Sequence, residues 1–217
     1  MPRTALVAGP TGLIGRSLLQ DLLRHPAYAE VRALSRRALP VQHERLRVVQ
    51  TDYYNLAGLG EVLHVDDVYC CLGTTMRAAG SRAAFEDVDY RMVVELARAA
   101  RGAGARQFLV VSAVGASPRA LAFYSRVKGR MEAAVSAIGY EAVHILRPSL
   151  LLGARDESRP GEALAQKLAP VLTPLLAGAL ARYRPVSAAD VAGAMIELAL
   201  REQRGVHVHH LPLGGAV

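Results

Sequence analysis

Tryptophan is absent from this chain, phenylalanine occurs three times and cysteine twice, and Asp and Glu together number only 19. Each scarcity excludes something. Cys70 and Cys71 are neighbours in an apolar strand candidate, where adjacent residues cannot close an ordinary structural disulfide, so they read as buried reduced thiols. The apolar stretches are broken by Gly, Pro or charge well short of the roughly 20 residues that cross a bilayer, so no membrane span is expected. No signal-peptide pattern precedes the strand-like Ala5-Leu6-Val7-Ala8, and a cytoplasmic protein is the expectation. Internal repeats and low-complexity linkers are also missing.

The shortage of acids against 26 Lys and Arg leaves a net charge of +7. The arginines are spread along the chain and no Trp accompanies them, which argues against a nucleic-acid partner and for solvated helix faces. A basic surface also attracts small phosphate-bearing molecules. With 217 residues, 52% of them hydrophobic, the chain suffices for one well-buried core and is too short for two ordinary domains with a linker. A single domain over residues 1–217 is expected, as monomer or homodimer.

Short β-branched runs alternate with helical patterns from the start. Thr4–Ala8 reads as a strand, and Leu13–Arg24 as a helix with Leu18, Leu19, Leu22 and Leu23 on its inner stripe. Further strands are expected at Val31–Ser35, Leu46–Gln50, Asp67–Leu72, Arg106–Ser112, Ala142–Leu146 and Val206–Leu211. Helices are expected from Ser81 to Arg101, through Tyr124 and Lys128 to about Ile138, and from a capping box at Ser187 and Asp190 to Leu200. Residues 153–185, divided by Pro160, Pro170 and Pro174, break the alternation and suit a substrate lid. The order implies an α/β fold, a doubly wound parallel sheet of Rossmann type with helices on both faces.

Gly9-Pro10-Thr11-Gly12-Leu13-Ile14-Gly15 joins the first strand to the first helix. In that position glycines let the backbone approach a pyrophosphate, and the free N–H groups of the helix start stabilise it. The second strand ends in Ser35-Arg36-Arg37, where a dinucleotide enzyme that prefers NAD often carries an acid. Arginine instead pairs with a 2′-phosphate through two donors and stacks on adenine, so NADP(H) is favoured over NAD. Surface arginines are the bland alternative. Asp52, after the third strand, either accepts from the adenine amino group or caps a turn.

Tyr124 and Lys128 stand four residues apart and share a helix face. A free phenol has a pKa of about 10, and a nearby cation favours its ionised form, which makes the pair a proton donor or acceptor. A solvated surface contact is the competing reading. In the C-terminal run, His207 and His209 share one strand face, and an edge-strand role outweighs a metal site because no carboxylate or thiol lies nearby in sequence.

With glycine turn, arginine pair and Tyr124/Lys128 in this order, the chain resembles the atypical branch of the short-chain dehydrogenase/reductase superfamily along nearly its whole length. More narrowly it is similar to the Tat-interacting-protein family of NADPH-binding oxidoreductase-like proteins. That likeness rests on Cys70-Cys71-Leu72-Gly73-Thr74-Thr75, on Tyr124 to Gly129, and on Glu157-Ser158-Arg159-Pro160-Gly161-Glu162. The resemblance implies that residues 11–14 with Arg36 and Arg37 hold the adenosine phosphates and that Leu72 and Gly73 pass beside the cofactor. It also implies that Leu151 and Arg159 border the nicotinamide end. Tyr124 becomes the proton donor, and Lys128 holds the ribose and lowers the tyrosine pKa.

Two positions depart from the superfamily pattern. The hydroxyl that orients a substrate carbonyl belongs just after the fifth strand, where Ser112 is followed by Ala113, and Asp89 stands near the place of a proton-relay asparagine. Three functions follow in order: an NADPH-dependent reductase of a small carbonyl substrate, an NADPH-sensing protein that regulates a protein partner, and a nucleotide-sugar epimerase. The last is disfavoured by the short stretch remaining after Pro148.

Overall fold

The computed structural model describes residues 2–149, 151, 152 and 185–212. Along the chain come β1 (Arg3–Ala8), α1 (Leu13–Arg24), β2 (Tyr28–Ser35), β3 (Leu46–Gln50), a 3-10 segment (Leu56–Leu63) and β4 (Asp67–Cys70). Next are α2 (Met76–Ala79), α3 (Arg82–Glu86), a π-helical turn (Asp87–Met92), α4 (Val93–Gly102), β5 (Gln107–Val111), α5 (Phe123–Ser136) and β6 (Ala142–Arg147). The short strands β7 (Leu151–Leu152) and β8 (Val186–Ser187), then α6 (Ala188–Leu200) and β9 (Gly205–His210), complete the described elements. The lid expected over residues 153–185 lies outside the described residues except for its last position.

Seven strands form one sheet in the order β3-β2-β1-β4-β5-β6-β9, and every neighbour pair is parallel. The expected doubly wound α/β sheet is therefore present. Apolar side chains on both faces of the central strands produce this arrangement: Ala5 to Ala8 of β1 are all fully buried. One face packs Phe108, Val110 and Ile145 against Leu96, Met131 and Val135 of α4 and α5. The other packs Val7 and Leu109 against Leu18, Leu22, Val191 and Met195 of α1 and α6. Burying each such Leu stabilises the fold by about 2 kcal/mol relative to leaving it exposed.

The amino ends of the central strands carry a buried polar knot. Arg3 Nη2 meets Asp67 Oδ1 at 2.8 Å, Tyr28 donates its hydroxyl to Asp67 Oδ2 at 2.8 Å, and the Tyr28 and Tyr69 oxygens lie 2.6 Å apart. Burial pushes the Asp67 carboxyl up to about 6 against the pull of Arg3 and Tyr28. Arg3 and Gln107 both donate to the Ala199 carbonyl near the end of α6.

Several boundaries differ from the sequence expectation. β2 begins three residues early at Tyr28, whose ring fills the core. β4 stops at Cys70 instead of Leu72, because the chain swings outward after Cys71 N–H bonds the Ala8 carbonyl. The expected helix over 81–101 is divided: Ser81 caps α3 through the Ala84 N–H, and the wider turn Asp87–Met92 carries Asp89 and Met92 inward before α4 begins. The capping box closes despite the short Asp, with Ser187 N–H donating to Asp190 and Asp190 N–H to Ser187 Oγ.

Candidate functional site

A cleft of about 270 Å³ opens at the carboxyl ends of β1, β2 and β4, lined by Gly9, Thr11, Gly12, Arg36, Arg37 and Gly73 together with Pro10, Tyr53, Leu72 and Met92. It lies where the sheet order reverses direction between β1 and β4, the usual ligand position in such sheets. The glycines have separate reasons to be there. Gly9 adopts φ +79°, and a Cβ on it would stand 2.8 Å from the Cys71 carbonyl oxygen. A Cβ at Gly15 would come within 2.1 Å of the Gly9 carbonyl oxygen, so α1 starts in direct contact with the turn. Gly12 caps α1 without a side chain, leaving the first-turn N–H groups of Leu13, Ile14 and Gly15 for an anion. The Ile14 side chain goes into the core, so only its backbone serves the turn.

Arg36 and Arg37 are exposed on the cleft rim, and neither has an acidic partner among the described residues. Asp52 does not line the cleft. It accepts the Tyr54 N–H at 2.9 Å and is exposed, which is the turn-capping alternative. The next residue was not foreseen from sequence: Tyr53 adopts φ +66°, a left-handed conformation uncommon for an aromatic residue, and donates its buried hydroxyl to the Leu34 carbonyl at 2.7 Å. It forms the cleft wall between β2 and the π turn.

α5 presents Tyr124 and Lys128 one turn apart. Tyr124 is 38% exposed and its ring leans on Phe85 at 5.5 Å, whereas Lys128 is buried. Lys128 Nζ lies 2.8 Å from Asp89 Oδ1 and donates to the Val111 carbonyl at 3.3 Å. Asp89 Oδ2 accepts the Thr74 N–H at 2.8 Å. A Cβ on Gly73 would sit 3.3 Å from Asp89 Oδ1 and 3.8 Å from Lys128 Nζ, which sets the ion pair directly beside the cleft. α5 can approach because Gly129 is bare; a Cβ there would fall 2.1 Å from the Ser117 carbonyl carbon.

Ser112 follows β5, and its buried hydroxyl donates to Glu132 Oε1 at 2.5 Å. Arg147 holds both oxygens of the same carboxylate, Nε at 2.9 Å and Nη2 at 2.5 Å. Glu132 was not singled out in the sequence, although it is eight residues after Tyr124, among the inward positions Val127, Met131 and Val135. An acid on that stripe was the available signal. Leu151 is half-buried in β7 against the core of α1 and α6 and does not line the cleft. Arg159 lies outside the described residues.

The thiols and histidines are accounted for otherwise. Burial pushes the Cys70 thiol up to about 12 and raises Cys71 as well, so both are held as neutral thiols. His207 and His209 share a face with His144 of β6, which pairs in register with His207. His144 Nδ1 and His209 Nε2 lie 3.1 Å apart, and His207 Nε2 meets the Arg204 carbonyl at 2.9 Å. No cluster with metal-ligand geometry occurs among the described residues. No described helix is long and apolar enough to cross a membrane.

A family model described as NAD(P)H-binding matches residues 9–202. Protein fmp52, mitochondrial, of Emericella nidulans is 36% identical over 79% of this chain and 76% of its own length. Protein HTATIP2 of Rattus norvegicus is 33% identical over 76% of this chain and 69% of its own. Among solved structures, MoeE5 in complex with UDP-glucose and NAD superposes with a TM-score of 0.71 at 22% identity, covering 99% of this chain and 77% of that one. The oxidoreductase ylbE from Lactococcus lactis gives 0.68 at 19% identity, covering 94% and 89%. These two likenesses concern the fold. The cytoplasmic expectation is corrected here, because several fmp52 relatives are named mitochondrial, which points away from the cytoplasm. The glycine cradle, the helix start and the matched family agree, and the chain belongs to the NAD(P)H-binding family, among its Tat-interacting-protein-like members.

Proposed function

We propose that the protein is an NADPH-dependent reductase of small carbonyl compounds in which Tyr124 delivers a proton to the carbonyl oxygen. The observation that carries this reading is the partly exposed phenol of Tyr124, one helical turn from the buried ammonium of Lys128 and its partner Asp89 beside the cleft. Bound NADPH supplies the hydride. Gly9, Thr11 and Gly12, with the first-turn amides of α1, hold the pyrophosphate, and Arg36 and Arg37 take the 2′-phosphate through paired charge-assisted hydrogen bonds. Leu72 and Gly73 flank the cofactor, and Lys128 holds the ribose. Tyr124→Phe is expected to abolish NADPH oxidation across a panel of small aldehydes and ketones while sparing NADPH binding. Undiminished turnover by that variant rules the proton transfer out.

A second reading, an NADPH-sensing protein that acts on a protein partner with little chemistry, is favoured by one observation. The Ser112 hydroxyl is donated to Glu132 and so is not offered to a substrate carbonyl, and the residue after it is Ala113. Tight NADPH binding without reduction of any panel compound, together with a recovered partner, decides for this reading.

A further inference from the structure

The Lys128 ammonium has three N–H bonds. The Val111 carbonyl at 3.3 Å accepts one of them, and Asp89 Oδ1 lies 2.8 Å from the nitrogen as its ion-pair partner. The titratable groups facing this ammonium are Asp89 from the π turn, Tyr124 from α5 itself and the Cys70 thiol from β4. Asp89 is the carboxylate of that set, and both side chains are almost wholly buried.

Asp89 also reaches the cofactor loop. Its second oxygen accepts the Thr74 N–H, and Gly73 of the cleft lining lies against its first. One stretch of chain therefore grips α5 at two successive turns, with Phe85 of α3 under the Tyr124 ring and Asp89 of the π turn on Lys128. The wide turn has a purpose in this setting, since π insertions bring a chosen side chain inward at a functional site.

We propose that Asp89 is the positioning residue of this site, keeping Lys128 charged and aimed in a water-poor pocket and tying it to Gly73 and Thr74 of the cofactor loop. The inference rests on the cleft being the NADPH site, and it departs from a neutral relay residue at this place. Burial drives an ammonium toward its neutral form, and the Asp89 charge is the largest influence against it, ahead of Tyr124 and Cys70, leaving the Lys128 pKa raised. Removing the carboxylate takes away the largest of the influences that oppose burial. Lys128 then loses its proton at mildly alkaline pH, and the donor that holds the ribose loses its charge.

The test is an NADPH fluorescence titration of the full chain, run from about pH 6.5 to about pH 9.5 for the wild type, Asp89→Asn and Asp89→Glu. Wild-type affinity is expected to stay flat, Asp89→Asn to weaken roughly tenfold toward the alkaline end, and Asp89→Glu to restore the flat profile. A folded Asp89→Asn protein with the wild-type profile overturns the proposal. Should Asp89→Asn not fold, the double variant Asp89→Asn/Lys128→Met removes both charges and is expected to fold; its failure to fold overturns the proposal, because Asp89 would then act other than through Lys128. Absence of NADPH binding by the wild type overturns the cofactor reading, and the proposal with it.

Discussion

Acidification is expected to loosen the β6–β9 side of the sheet through His144. Its ring is fully buried, its Nδ1 lies 3.1 Å from His209 Nε2, and the rings of His209 and His207 stack on it at 5.3 and 5.4 Å. A hydrogen bond between two ring nitrogens needs one donor and one acceptor, so protonating both rings would set N–H against N–H. Burial first, then the neighbouring His209 and His207, bring the His144 imidazole down from 6.5 to about 4. A histidine with a depressed folded pKa takes up its proton more readily in the unfolded chain. Its stabilising contribution is complete above 6.5 and drains away as pH falls toward 4. Integrating the linkage gives a loss of about 2 kcal/mol between pH 8 and pH 5, a large share of the roughly 10 kcal/mol that holds a domain folded. Asp67 works in the opposite sense: with its carboxyl at about 6 in the folded state, protonation there favours folding as pH falls. The wild-type profile mixes the two effects, and a comparison with His144→Phe isolates the first. Urea unfolding of both proteins at pH 8 and pH 5 is expected to show the acid-induced loss reduced by about 2 kcal/mol in the variant. Equal losses in the two proteins would refute the reasoning.

The double substitution Arg36→Ala/Arg37→Ala should weaken NADPH binding by about tenfold or more and leave NADH within about twofold, read by parallel fluorescence titrations; an equal loss for both removes the 2′-phosphate argument. Gly129→Ala drives a methyl group into the Ser117 backbone 2.1 Å away. It should cost about 3 kcal/mol or prevent folding, so an unchanged Tm contradicts the packing described for α5. Glu132→Ala leaves Arg147 half-buried without its partner and Ser112 without its acceptor, and a loss of about 3 kcal/mol is expected in urea unfolding.

What was legible in the sequence was local. The turn from Gly9 to Gly15, the arginines closing β2 and the Tyr124/Lys128 spacing each lie within one strand end or one helix turn, where short-range geometry decides their direction. What escaped needed distant segments brought together. His144 joins His207 only because β9 lands beside β6 in register, and Asp89 reaches Lys128 only because the helix over 87–92 widens, which no spacing announces. Glu132 escaped for a different reason: an inward acid on an amphipathic helix is read as solvated unless an arginine such as Arg147, on another element, is known to meet it. The location stayed out of reach because it rested on a missing pattern at one end of the chain. It was the named relatives, not the residues, that corrected it.

The knot of Arg3, Asp67, Tyr28 and Tyr69 lies at the opposite end of the strands from the cleft. This buried polar cluster is thus far from the loops that line the cleft. Segments such as 113–122, which run from β5 to α5 on the working rim, lie away from that anchorage, and Ser117 within them packs on Gly129 of α5. The architecture is a chassis: substitutions on that rim spare the knot, while those that move the Ser117 backbone act on the seat of α5.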